Sequence, residues 1–143
     1  MSYCTQEDIQ RKRIPEQTLI DLTDDQGLAT VDTTVVDEAI AEAGELIDGY
    51  LRDRYSLPLS AVSGVVNSLA LDIATHILYG RRAEFKMPEN VGKAYDNALR
   101  MLREIRVGNI SLGLPSPSGQ SATSGASFTG GGRRFTRDSQ RSR

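Results

Sequence analysis

Apolar residues recur at three- and four-residue spacing between Asp32 and Leu59: Val36, Ala39/Ile40, Ala43, Leu46/Ile47 and Tyr50/Leu51. A pattern sustained over this length specifies an amphipathic helix, because a strand would repeat every second residue. Asp32 or Thr33 can cap its start, and Asp37 and Glu38 suit the positive end of the helix dipole. The face away from the apolar stripe carries Glu38, Glu42, Glu45 and Arg52, and Asp48 and Arg52 stand at i,i+4. Pro58 disfavours helical geometry at Leu57, so the helix is expected to stop near Tyr55. Gly44 and Gly49 each cost about 1 kcal/mol inside a helix relative to Ala. They mark either tolerated surface positions or places where another helix or subunit comes close.

Two further helices of similar length follow. One is predicted over residues 60–82, with Val62, Val65/Val66, Leu69/Ala70, Ile73/Ala74 and Ile77/Leu78 on a wide apolar face. It is the most hydrophobic element and is expected to be the most buried. His76 lies at the edge of that face, four residues after Asp72, and the spacing predicts a structural Asp72–His76 pair. After a polar connector, Met87-Pro88 starts the last helix, whose stripe is Val91, Tyr95, Ala98/Leu99, Leu102 and Ile105. Arg100, Arg103 and Arg106 gather towards its C-terminal end, and Gly108 is a plausible cap.

Upstream, Thr5 with Asp8 resembles a capping box for a short helix closed by Arg11-Lys12-Arg13. Those three charges fit a solvated helix end better than a phosphate-binding cluster. Pro15 opens a second short helix, and Asp24-Asp25-Gln26-Gly27 is a turn, since the alternating ligands of a calcium loop are missing. The chain is therefore expected to be all-α. It should form a small antiparallel bundle of three long helices plus one or two short N-terminal ones, followed by a long extended C-terminal tail. Ile47, Tyr50, Leu51, Leu69, Ile73, Ile77, Tyr95, Leu99 and Leu102 are the predicted core.

Charge divides the chain in the same place as composition. Residues 1–107, the helical body, hold 12 Lys/Arg and 18 Asp/Glu, a balance of −6; residues 108–143 hold five Arg and one Asp, a balance of +4. The second segment is rich in Ser, Gly and Pro, and such a composition does not offset its own ordering entropy without a partner. Its apolar side chains are Ile110, Leu112 and Leu114 at the start, then Phe128, then Phe135 within Arg133-Arg134-Phe135-Thr136-Arg137. An acidic body with a basic tail suggests an interaction arm.

Catalytic signatures are lacking. One Cys and one His cannot build a structural zinc site, and one Cys cannot form an internal disulfide. The Gly130–Gly132 run lies in the low-complexity tail and joins no strand to a helix, so it is no phosphate loop. The expectation is a non-enzymatic protein with no cofactor, no resident metal and no membrane span. It is expected to be made in a cytoplasm, since no apolar signal-peptide core opens the sequence.

The ordered blocks IDGYLRDRYSLPL, LALDIATHILYGRR and MPENVGKAYDNALRMLREIRVGNISLG, with TQEDI and LIDLTDDQG before them, resemble the phage head–tail connector (adaptor) family in its Mu-like version. The resemblance covers about residues 2–114 and is most specific from Ala43 to Pro58, through Ile47, Asp48, Tyr50, Leu51, Arg54, Tyr55 and Pro58. It implies a virion neck protein: a homo-oligomeric ring, commonly of twelve copies, beneath the portal protein. Such a ring extends the DNA channel towards a stopper or tail-completion protein, and genome DNA passes its lumen without sequence-specific binding. The portal contact would lie in the C-terminal tail, with Phe135 as anchor, Phe128 as a second one, and Arg133, Arg134 and Arg137 facing acidic groups. Glu38, Glu42 and Glu45 could meet Arg100, Arg103 or Arg106 of the neighbouring copy. The alternative is a small nucleic-acid-binding regulator that uses the basic Arg/Phe arm on phosphate and bases.

Overall fold

Every apolar stripe found in the sequence becomes the buried side of a helix. The computed structural model describes residues 2–115, and its elements are α1 (Gln6–Lys12), α2 (Glu16–Thr23), α3 (Thr33–Leu51), α4 (Gly64–Gly80) and α5 (Glu89–Val107). The described residues contain no strand, and the chain is all-α as expected. Phe128, Arg133, Arg134, Phe135 and Arg137 lie outside the described residues.

The ends of the long helices define how they run. Gly64 and Val65 at the start of α4 lie across from Met101 and Glu104 of α5, whereas Asp72 and Thr75 lie beside Asn90 and Val91. These two helices are therefore antiparallel. Arg106 near the end of α5 bonds Asp53, just past the end of α3, so α3 and α5 run the same way and α4 runs against both. Ile47, Leu51, Ile73, Leu78, Leu102 and Ile105 are fully enclosed between the three. Each such side chain contributes about 1.5–3 kcal/mol by leaving water. Leu69 joins them, while Tyr50, Ile77, Tyr95 and Leu99 of the predicted core are half-buried against its margin.

Boundaries follow local chemistry. Asp32 caps α3 by accepting the N–H groups of Thr34 and Val35 at 2.9 and 3.4 Å. Ser63 accepts the Val66 N–H, so α4 begins at Gly64 and not at Ser60. Val62 consequently falls before the helix, and Val62 and Val65 are exposed although the stripe placed them inward. The Leu57–Pro58 peptide is cis and lies in the connector between α3 and α4. Gly108 closes α5 in the left-handed region at φ +100°, with its N–H on the Glu104 carbonyl. The Arg54 guanidinium occupies the place a Cβ on Gly108 would need. Gly44 is buried in the bundle, whereas Gly49 is exposed with open space around it.

The short helices form a layer held to α4 by side chains that the spacing rules paired differently. Asp72 accepts from Arg13 at 2.7 Å, not from His76, because the end of α1 brings a guanidinium over that carboxylate. His76 instead stacks on Tyr95 of α5, with centroids 3.9 Å apart and planes 11° from parallel. Beyond α2, Arg81 donates to the Leu22 carbonyl and Arg82 to the Asp24 carbonyl, and both donate to Asp25. The Asp24 carboxylate accepts the N–H groups of Gln26, Leu28 and Ala29, which shapes the expected turn. At the N-terminus the buried Tyr3 hydroxyl donates to Asp48 of α3, and its carbonyl accepts from Asn67 of α4. Cys4 beside it is buried, and that burial, with Asp8 nearby, pushes its thiol up to about 11.

Two stability measurements check this account. Gly49→Ala should raise stability by about 0.5–1 kcal/mol, because nothing obstructs the new methyl group and helical Gly is costly. Gly108→Ala should lower it by about 1 kcal/mol or more, since Ala is strained at positive φ; chemical denaturation giving the same sign for both would refute the assignment. Acid should loosen the Asp25 latch. Hydrogen bonding from Arg81, with the charges of Arg81 and Arg82, holds the Asp25 carboxyl below its ordinary value. A depressed carboxylate contributes stability above its unfolded pKa, about 3.9, and loses it as pH falls through the folded value. The gap in melting temperature between the natural chain and Asp25→Asn should therefore be open at neutral pH and close in acid below about pH 4.

Candidate functional site

Three surfaces of the described residues stand out once the core is built, and each comes from a different part of the bundle. On α3, the residues off the apolar stripe put Glu38, Glu42 and Glu45 on an exposed ridge. None of the three makes an ion pair among the described residues. Glu42 and Glu45 border a shallow hollow of about 390 Å³ with Leu46, Ile73, Ile77 and Tyr95 at its base.

The exposed side of α5 carries the arginines. Arg100 donates to Asn97 on its own helix at 3.0 Å, and Arg103 is exposed without a hydrogen bond or ion pair among the described residues. Arg106 is exposed but paired within the subunit: its guanidinium holds Asp53 at 2.9 and 3.1 Å, tying the end of α5 to the turn after α3. It is thus already engaged within the subunit, which leaves Arg100 and Arg103 as the outward-facing pair of the three predicted. The acidic ridge and these arginines lie on different helices, and no ion pair joins them within the described residues.

The third surface is where the chain leaves the bundle, and sequence reasoning saw only its raw material. Ile110, Leu112 and Leu114 were visible as an apolar start to the tail; in the structure they are half-buried against the core. The Leu112 N–H donates to the Tyr55 hydroxyl at 3.0 Å, and Leu114 and Pro115 sit beside Tyr55, Pro58 and Leu59. Burial pushes the Tyr55 hydroxyl up, yet the Leu112 N–H, Arg54 and Ser111 together bring it below the ordinary tyrosine value. Next to this exit, a groove of about 860 Å³ runs between the first half of α4 and the second half of α5. No spacing rule predicted it, because Val65 and Met101 were counted as parts of helices and not as neighbours.

Among the described residues no group of three or more His, Cys, Asp or Glu is placed to hold a metal ion. No helix among them is long and apolar enough to cross a membrane. What the geometry offers is charged and apolar surface on a rigid helical frame. Tyr55→Phe should leave the Leu112 N–H without its acceptor, costing about 1 kcal/mol. Faster amide exchange at Leu112, with α3 and α4 amides unchanged, is the expected readout; unchanged exchange at Leu112 would remove Tyr55 from the account.

Relatives place this frame. The chain is 35% identical over 85 residues to the Mu-like prophage FluMu protein gp36 of Haemophilus influenzae, a match covering 59% of this chain and 57% of that protein. It is 31% identical over 85 residues to gene product J of Escherichia phage Mu, with the same shares of each chain, 59% and 57%. The matched stretch thus spans little more than half the length of either relative. The family model described as Bacteriophage Mu, Gp36 matches residues 3–129, which takes in nearly all of the described body and extends past it. The chain belongs to the phage Mu Gp36 family.

Proposed function

We propose that the chain is a head–tail connector: a structural subunit, without a catalytic step, of a ring beneath the portal of a phage capsid. The observation that carries this reading is the pair of oppositely charged faces on separate helices of a phage-family protein, Glu38/Glu42/Glu45 on α3 and Arg100/Arg103 on α5. A ring closes through a heterologous contact, in which one face of each copy meets a different face of the next. Two complementary faces that do not satisfy each other among the described residues suit that geometry. In the proposed ring, commonly of twelve copies, the lumen continues the DNA channel, and the far side joins a stopper or tail-completion protein. An acidic lumen wall repels phosphate and lets the genome slide.

Residues 116–143 extend the same reading to the portal. Phe135 and Phe128 supply apolar anchors and Arg133, Arg134 and Arg137 supply charge, on an arm held near its binding place by the ring. Many copies of a weak arm give strong overall attachment, because each further contact forms at high effective concentration. The virion neck is the proposed location, reached from the host cytoplasm where the subunit is made.

The test is capture of the portal protein by the full-length chain and by a form ending at Gly108. Binding by the first and its loss in the second is the expected result. Salt-sensitive binding to plain duplex DNA, with no portal binding by either form, would replace this reading with a nucleic-acid-binding regulator. The lateral contact is tested separately: Arg103→Glu should abolish ring assembly on the portal, and Glu42→Arg in the same chain should restore part of it. Assembly indifferent to both changes would move the contact elsewhere.

A further inference from the structure

The groove between α4 and α5 shares only Arg100 with the ring contacts proposed above. Its floor is apolar, made by Val65, Leu69, Met101 and Ile110, and its rim carries Asp72 and Glu104. Val65 and Met101, which both line this hollow of about 860 Å³, are 43% and 39% exposed. The hollow has room for a large apolar side chain.

We propose that the groove is the docking site for this chain's own segment from Arg133 to Arg137, with Phe135 seated on its floor. Tether length supports the assignment first. Ile110 forms part of the groove wall and Pro115 is the last described residue, so the start of the remaining chain lies within about 18 Å of that wall. Nineteen residues separate Pro115 from Phe135, and a Gly/Ser-rich stretch of that length has an r.m.s. span of about 25 Å. Span and distance match, the condition under which a tethered segment reaches its highest effective concentration, in the millimolar range.

Chemistry selects the segment. Phe128 and Phe135 are the large apolar side chains among residues 116–143, and Phe135 alone is flanked by arginines. The groove is lined by the carboxylates of Asp72 and Glu104 and the guanidinium of Arg100, and Arg13 pairs with Asp72 from beside it. Asp72 accepts from Arg13 through Oδ1, and Glu104 accepts from Asn109 through Oε2. The second oxygen of each has no hydrogen-bond partner among the described residues and suits an arriving guanidinium. A phenyl ring over Val65 and Met101 with arginines at both rims satisfies both parts of the groove at once.

The consequence is self-covering. In the free chain the arm lies on its own body, so its anchor and the groove are hidden together. A partner that takes the arm also uncovers the groove. The proposal concerns the free chain and stands whether or not the partner is a portal.

Disulfide trapping in the full-length chain tests it without any partner. Arg100→Cys on the rim and Thr136→Cys beside the anchor leave Phe135, Met101 and Val65 in place. Native Cys4 is 5% exposed, and its thiol is pushed up to about 11, so it does not compete. Under mild oxidation the double variant should form an intramolecular bridge at a rate independent of protein concentration. Adding Phe135→Ala should slow that bridge by about ten-fold, as loss of a tethered anchor requires, and adding Phe128→Ala should leave it unchanged. A rate indifferent to Phe135→Ala would show chance collision of a tether and overturn the proposal. Bridges formed between copies, at rates rising with concentration, would overturn it in favour of a second copy as the occupant.

Discussion

The structure depends on burying α4 along most of its surface. All four other helices pack against it, and Val66, Leu69, Ala70, Leu71, Ile73, Ala74 and Leu78 are enclosed as a result. A helix apolar on so many sides cannot stand at a bundle's surface, because each unburied Leu or Ile would forfeit about 1.5–3 kcal/mol. α3 and α5 cover two of its flanks, and the short N-terminal helices cover much of the rest. The apolar margin that they leave open at the start of α4 becomes the groove.

The N-terminal layer shows how a weakly apolar element is held in place. α1 and α2 are of 7 and 8 residues, too short to be stable alone. Leu19, Leu22, Ile9 and Ile14 give them a small apolar underside. Position comes from guanidinium groups: Arg13 reaches the middle of α4, and Arg81 and Arg82 reach back from its end to the α2 turn. Arg81 and Arg82 also bond the backbone carbonyls of Leu22 in the last turn of α2 and Asp24 just past it, groups that a helix terminus leaves unpaired. The arginines thus finish one helix while fastening it to another.

Periodicity carried most of the fold into view, because a 3.6-residue repeat is a local property that packing merely completes. The five helices, the Asp32 cap, the Gly108 stop and the Asp24 turn are all short-range chemistry. Pairing across the fold was the part that stayed hidden. Asp72 and His76 have the spacing of partners, yet the end of α1 supplied a guanidinium and α5 supplied a ring. Arg106 looked like the other arginines of α5 until the fold brought Asp53 to it. The exposed charged faces were legible as patterns, whereas the groove was not, since it exists only where two stripes fail to meet.

The left-handed turn at Gly108 also sets direction. It reverses the chain at the end of α5, and the Tyr55 hydroxyl then fixes the outgoing strand at Leu112. The last described residues therefore leave the body from a rigid pivot with a defined heading. In any closed assembly of identical copies, these exits would all stand at one radius and one height, so whatever follows residue 115 would start from a ring of equivalent points.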